Sequence, residues 1–147
     1  MILHTCSETI SLAKELENKS AKFYEELSQK YAKDKDVFLS FAKENGKNVV
    51  QIERAYYGVI TDAIEGCFAF DVNPDEYTFK TELPEKASYS DALNKAIEME
   101  EKIIKFYLDA AEQSKSLMAD VPRNFTIVAR KRGDRKLKLG ALLGKGG

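Results

Sequence analysis

The stretch FAKENGKNVVQIE, Phe41 to Glu53, is the part of the sequence that most clearly indicates the fold of this chain. Its apolar residues, among them Phe41 and Ile52, recur at the three-and-four spacing that keeps one face of a helix buried. Asn45 and Asn48 fall on that same face. They stand where an apolar residue or a pair of ligands would be expected, so the stretch predicts a helix with a polar pair on its buried side.

Outward from this stretch, the chain carries four segments with helical periodicity. The predicted helices cover residues 5–31, 36–64, 88–114 and 122–143. The sequences TCSE, starting at Thr5, and SYSD, starting at Ser88, are typical helix caps for the first and third. The predicted fold class is therefore all-α, with one domain over residues 1–147.

A long connection, residues 65–87, joins the second predicted helix to the third. It is too long for a tight turn and too apolar for a free linker. Its aromatic residues are Phe68, Phe70, Tyr77 and Phe79. We expect this segment to cross the bundle and to pack against its outside.

Two glycines leave alternatives open. Gly46 and Gly133 both stand inside predicted helices, where glycine is unfavourable by about 1 kcal/mol relative to alanine. One alternative is that the second helix breaks at Asn45–Gly46. The other is that residues 123–140 form a β-hairpin that turns at Gly133. Helical spacing favours a fourth helix, because it places Arg132 and Arg135 on one stripe with several apolar residues.

An internal repeat relates the two halves of the chain. AKELENKSAKFY, residues 13–24, matches AIEMEEKIIKFY, residues 96–107, in Ala, two Glu, two Lys, Phe and Tyr. FAKENGKN, residues 41–48, has a weaker match in VARKRGDR, residues 128–135. Helical proteins share many of these residue types, so chance explains such a match in part. Taken together, the two matches predict two similar helix pairs in one chain.

The Glu-x6-Tyr pattern in each half, Glu17 with Tyr24 and Glu100 with Tyr107, resembles the rubrerythrin branch of the ferritin-like superfamily. The apolar run F-x-x-F-A that leads into the second helix adds to the resemblance, which covers nearly the whole chain and is poor after residue 120. It implies an up-down-down-up four-helix bundle with one long crossover between the second and third helices. It also implies a diiron centre held by one Glu from the first helix of each half and a Glu-x-x-His pair from the second.

Carried over residue by residue, the resemblance makes Glu17 and Glu100 the two single glutamates. The Glu-x-x-His pairs fall on Asn45 with Asn48 and on Arg132 with Arg135. Four of the six ligand positions have therefore changed, and a guanidinium cannot bind a metal because it has no free lone pair and stays protonated. The single histidine, His4, precedes the first helix. We expect no metal; any metal that did bind would be held by Glu17 and Glu100.

Composition excludes several other classes of function. Two cysteines and no CxxC motif rule out a structural zinc or rubredoxin-type iron site, and no phosphate-binding loop or nucleophile elbow is present. No apolar window is long enough for a membrane span and no export signal is seen, so a cytoplasmic location is expected. Residues 119–147 carry 8 Lys or Arg against 2 Asp, whereas the net charge of the whole chain is -1.

The prediction is a ferritin-like bundle without its iron, acting as a non-catalytic structural or binding protein. In the place of the metal we expect Arg132 and Arg135 to pair with Glu17 and Glu100, with the two asparagines completing the network. In the alternative, both arginines extend their long stems to the surface. The partner is expected to be an unknown protein or small molecule, and related bundles suggest a homodimer.

Two other functions are kept as alternatives. The first is an oxidoreductase, or a peroxide- or iron-handling protein, that binds iron at a rearranged site of Glu17, Glu100 and either Glu44 or Glu53. The second is a nucleic-acid binder that uses the basic run RKRGDRKLK, residues 130–138. Nucleic acid is the less favoured partner, because this run lacks interleaved aromatic residues.

Overall fold

The structure, a computed structural model, describes residues 2–60, 70–115 and 120–146. Its helices are α1, Cys6–Lys30; α2, Lys35–Ile60; α3, Tyr89–Gln113; and α4, Asp120–Gly146, with a 3₁₀ turn at Pro74–Tyr77. Within these three ranges there is no strand beyond an isolated bridge between Leu3 and Val72. For the residues that the structure describes, the prediction of an all-α fold with four helices is confirmed. None of the described helices is long and apolar enough to cross a membrane.

Capping sequences set the beginnings of α1 and α3. The Thr5 side chain accepts a hydrogen bond from the Glu8 amide, and the Glu8 carboxylate accepts one from the Thr5 amide. Ser88 and Asp91 make the same reciprocal pair before α3. Each pair satisfies backbone N–H groups that a helix start leaves without partners. Both predicted starts lie one residue before the observed helix.

Neither glycine interrupts its helix. α2 runs through Gly46, and α4 runs through Gly133 from Asp120 to Gly146, so both the break and the hairpin are excluded. α4 begins two residues earlier and ends three residues later than predicted. Its buried face continues to Leu139, and the packing of that face outweighs the weak helix propensity of glycine. Residues 61–64, the predicted end of the second helix, lie outside the described residues.

The helices pack most extensively in two pairs, α1 with α2 and α3 with α4. The described part of the connection between α2 and α3 contacts helices of both pairs: Lys19 of α1 donates to the Phe79 carbonyl, and Tyr77 donates to Asp109 of α3 at 2.6 Å. Phe70 and Tyr77 are buried, whereas Phe68 lies outside the described residues. This segment therefore covers the side of the molecule where α1 and α3 meet.

We predict that Gly46→Ala and Gly133→Ala each raise the free energy of unfolding by up to about 1 kcal/mol. A Cβ at either position meets no atom within 4 Å outside its own helix turn, so only the better helix propensity of alanine remains. Urea unfolding followed by circular dichroism measures the change. Ala141→Gly, at an exposed position of α4, is the reverse control and should lose a similar amount. A clear loss of stability at Gly46 or Gly133 would contradict a continuous helix there.

Candidate functional site

Arg132 of α4 is the centre of a polar cluster inside the bundle. Its side chain is 0% exposed, and Nη1 lies 2.9 and 2.8 Å from the two carboxylate oxygens of Glu100 on α3. Nη2 lies 2.8 Å from Oε2 of Glu17 on α1, but its N–H bonds do not point at that oxygen; the directed hydrogen bond comes from Nε at 3.3 Å. One guanidinium therefore bridges the carboxylates of two helices.

Two tyrosines bind the same carboxylates from opposite halves of the chain. Tyr24 of α1 donates to Glu100 Oε2 at 2.5 Å, and Tyr107 of α3 donates to Glu17 Oε2 at 2.7 Å. In each helix the Glu precedes the Tyr by seven residues, which is two helical turns and puts both on one face. The repeated Glu-x6-Tyr pattern thus produces a reciprocal pair of bonds that joins α1 to α3.

Ser20 and the asparagines complete the cluster on the side of α1 and α2. Asn48 Nδ2 donates to Glu17 Oε1 at 3.1 Å. The Ser20 hydroxyl accepts from Arg132 Nη1 at 3.0 Å and from Asn45 Nδ2 at 3.2 Å. Sequence reasoning did not place Ser20 in the site. Its signal was present, because the repeat aligns Ser20 with Ile103, a larger apolar residue on the matching buried face.

Arg135 has a different set of partners from the expected one. Its Nη1 donates to Asn45 Oδ1 at 2.8 Å, and its Nη2 donates to Glu44 Oε1 at 2.6 Å and to the Phe41 carbonyl at 3.2 Å. The closest approach to Glu100 is 3.6 Å, an ion pair without a hydrogen bond. The main anion of Arg135 is therefore Glu44, a side chain 39% exposed at the edge of the cluster.

The arginines do not reach the surface. Arg132 is 0% and Arg135 2% exposed, and the Arg135 guanidinium lies 4.8 Å from the centroid of the Phe41 ring. The extended arrangement, with both head groups in solvent, is therefore excluded. The structure brings all six predicted residues into one connected cluster: Glu17, Asn45, Asn48, Glu100, Arg132 and Arg135. Two carboxylates and two guanidiniums give it a formal charge of zero, and Glu44 adds one negative charge at its edge.

Arg132 and the two tyrosines of the cluster keep their protons at neutral pH. Burial by itself would lower the pKa of Arg132, but the charges of Glu100 and Glu17 outweigh it and the pKa lies above its usual range. Burial raises the pKa of Tyr24 well above its usual range, and Glu100 raises it further. Burial and the Glu17 charge do the same for Tyr107. The arginine stays charged and both phenols stay neutral, so none of these three groups supplies an acid or a base near pH 7.

Three buried atoms of the cluster lack a hydrogen-bond partner among the described residues. They are Oδ1 of Asn48, an acceptor, and two donors, Nη2 of Arg132 and Nε of Arg135. An unsatisfied buried polar group costs about 1–3 kcal/mol. The network is therefore closely but incompletely paired.

The residues present do not fit a diiron centre. The Arg132 guanidinium occupies the space between Glu17 and Glu100, and a cation there opposes a second cation. Among the described residues, no three His, Cys, Asp or Glu side chains are placed to hold a metal. Glu44 is engaged by Arg135, and Glu53 pairs with Lys14 at 3.0 Å on the outside of the bundle. The rearranged iron site lacks a third carboxylate.

No family model, curated protein or solved structure matches this chain.

We predict that Arg132→Met lowers the free energy of unfolding by about 3–5 kcal/mol, because it leaves two buried carboxylates without their shared cation. Arg130→Met is the matched control: Arg130 is exposed on the same helix, and its loss should change stability by no more than about 0.5 kcal/mol. Denaturant unfolding measures both. An Arg132→Met variant as stable as the parent would contradict the network.

A second prediction concerns alkaline pH. Since the pKa values of Tyr24 and Tyr107 are raised in the fold, the unfolded chain releases these protons first, at about pH 10. Stability is therefore fully present below about pH 10 and falls as the pH rises above it. Unfolding measured across this range should show the fall, and Tyr24→Phe with Tyr107→Phe should make it shallower. An equally steep fall in the double variant would assign it to other groups.

Proposed function

We propose that this chain is a ferritin-like bundle, up-down-down-up with a crossover between α2 and α3, in which an arginine–carboxylate network stands in the place of the diiron centre. Its function is structural or binding rather than catalytic. As in related bundles, it forms a homodimer, and it acts in the cytoplasm. The observation that carries the proposal is Arg132 lying between Glu17 and Glu100, the two carboxylates that the resemblance assigns to iron.

The ferritin-like part of the proposal is supported by the convergence of the aligned positions. The repeat aligns Glu17 with Glu100, Asn45 with Arg132 and Asn48 with Arg135, and all three pairs lie in one cluster. The tyrosines of the two halves also bind the two glutamates reciprocally. This convergence supports two helix pairs that are related by the repeat.

The non-catalytic part is supported by burial and by charge. Glu17, Glu100, Asn48 and Arg132 are each 0% exposed, so a substrate has no path of contact to them in this conformation. Each carboxylate is already bound by a guanidinium and a phenol. A catalytic acid or base must reach its substrate and exchange a proton with it, and this cluster is arranged to do neither.

The nucleic-acid alternative loses much of its charge in the folded chain. Of the basic run at residues 130–138, Arg132 and Arg135 are buried. Lys136 pairs with Glu101 at 3.0 Å, whereas Lys131 donates to the neutral Gln51 at 2.9 Å and keeps its charge. Half of the six cations of this run, Arg130, Lys131 and Lys138, are left to contact phosphates, and the electrostatic share of nucleic-acid binding grows with that number.

The experiment that tests the proposal is a restoration of the metal ligands. We expect elemental analysis of the parent, purified without chelator, to find no stoichiometric iron, manganese or zinc. The fourfold variant Asn45→Glu, Asn48→His, Arg132→Glu, Arg135→His recreates the six-ligand set with Glu17 and Glu100 and should bind about two Co(II) ions per chain, the number held by diiron bundles. Visible absorption of Co(II) and elemental analysis provide the readouts.

The matched control replaces the same four residues with glutamine, which leaves only Glu17 and Glu100 as strong ligands and should bind no more Co(II) than the parent. The half-restored variant Arg132→Glu, Arg135→His guards against misfolding and should bind a single ion. About two metal ions in the parent itself would favour the oxidoreductase alternative. Folded fourfold and half-restored variants that bind no metal would contradict the ferritin-like geometry.

A further inference from the structure

The face where α2 and α4 meet carries an open groove of about 810 Å³. The connection between α2 and α3 covers the side of α1 and α3, and in the described residues nothing comparable lies over this face. Gln51 of α2 donates to Asn124 of α4 at 2.9 Å, and Lys131 donates to Gln51 at the same distance. These bonds fix the two walls of the groove. Its volume falls in the range of small-molecule sites, about 300–1,000 Å³.

The groove is positively charged in a chain whose net charge is -1. Its lining includes four cations, Lys43, Lys47, Arg54 and Arg123, and one carboxylate, Asp120. None of the four cations makes an ion pair with another described residue. Unpaired like charges around one concave surface raise the local concentration of anions.

The cations stand at the two ends of the groove, and most of its apolar surface lies between them. On α2, Lys43 and Lys47 come before Val50, and Arg54 follows it. The rise of a helix, about 1.5 Å per residue, separates the Cα atoms of Lys47 and Arg54 by about 10 Å along the axis, and those of Lys43 and Arg54 by about 16 Å. Arg123 of α4 lies at the Arg54 end, since its neighbour Asn124 is bonded to Gln51. Val50 and Ile127 supply the apolar middle, and Ala55 adds apolar surface beside Arg54.

We propose that this groove binds an amphipathic anion, a small molecule with an apolar body and a carboxylate or phosphate group. The apolar middle takes the body, and the lysine or arginine end takes the head group. This inference names a ligand class for the proposed binding function, but it rests on the surface groove and not on the buried network. Carboxylate and phosphate head groups share the chemistry that the cations recognise, so the test separates them.

Isothermal titration of the full chain with dodecanoate and with dodecyl phosphate tests the proposal, both kept below their micelle concentrations. We expect saturable binding of one molecule per chain for at least one of them, and the tighter of the two identifies the head group. Dodecyl maltoside, which has the same alkyl chain without the charge, should bind at least tenfold more weakly. Equal binding of the neutral compound, or no saturable binding of either anion, would overturn the proposal.

Two variants locate the site. The double variant Lys47→Glu, Arg123→Glu reverses one cation at each end and should weaken anion binding at least tenfold. The control, Lys86→Glu with Lys138→Glu, makes the same charge change at exposed positions outside the groove and should change the affinity by no more than twofold. Gly46 lines the groove with open space at its Cβ position, so Gly46→Leu fills the groove without changing charge and should also weaken binding. Binding that survives both groove variants would overturn the assignment.

Two macromolecular probes complete the test. A duplex DNA fragment or a Glu-rich helical peptide that binds in the groove, while neither alkyl anion does, would overturn the small-molecule class. Metal content is measured on the same samples. If the chain binds neither anion and holds no metal, this inference is wrong and the proposed function stands. If the chain binds an anion and also holds two irons, the proposed function is wrong and the assignment of the groove stands.

Discussion

The structure depends on keeping two guanidiniums charged in the interior of a four-helix chain. Removing a cation from water is unfavourable by several kcal/mol unless anions and hydrogen-bond acceptors replace the solvent. Arg132 finds two carboxylates and a hydroxyl, and Arg135 finds one carboxylate, an amide oxygen and a backbone carbonyl. Because these groups come from α1, α2 and α3, the two arginines of α4 fix where all three other helices lie.

Charge explains why the two halves of the repeat differ. Glu17 and Glu100 bring two negative charges to the centre, and the four aligned positions of α2 and α4 have to balance them. Amides in both helices would leave a buried charge of about −2, and arginines in both would leave about +2. An asparagine pair on α2 and an arginine pair on α4 bring the sum to zero. Ser20, in place of the isoleucine found in the other half, accepts from Arg132 where an aliphatic side chain would not.

The sequence predicted the helices well because their signals are local. Capping residues gave the starts of α1 and α3 to within one residue, and the repeat identified the six inward polar positions. The partners of Arg135 were not predictable in the same way. Helical periodicity places Glu44 at the margin of the buried face of α2. Whether Arg135 pairs with Glu44 or with Glu100 depends on the distance between α2 and α4, which the sequence does not give; in the structure Glu44 is the nearer, at 2.6 Å against 3.6 Å for Glu100. Ser20 was missed for a similar reason, since a buried serine in a helix usually bonds its own backbone. The ferritin-like topology stays a prediction.

A buried ion-pair network is weak evidence of stability, since apolar residues of similar volume often stabilise a core as well or better. Its contribution here is to the register of α4. Sliding α4 by one turn, three or four residues, would bring Val128, Ala129, Arg135 or Lys136 to the position of Arg132. Of these only Arg135 could bridge Glu17 and Glu100 through a guanidinium, and that shift would put Lys138 in the place of Arg135, where an ammonium cannot reproduce the fork that binds Asn45, Glu44 and the Phe41 carbonyl. An apolar core would accept that slide at a much lower cost. The fixed register also sets the α2–α4 face, because Asn124 and Lys131 meet Gln51 only in this alignment. The buried network therefore determines the shape of the surface groove, even though its own side chains are closed to ligands.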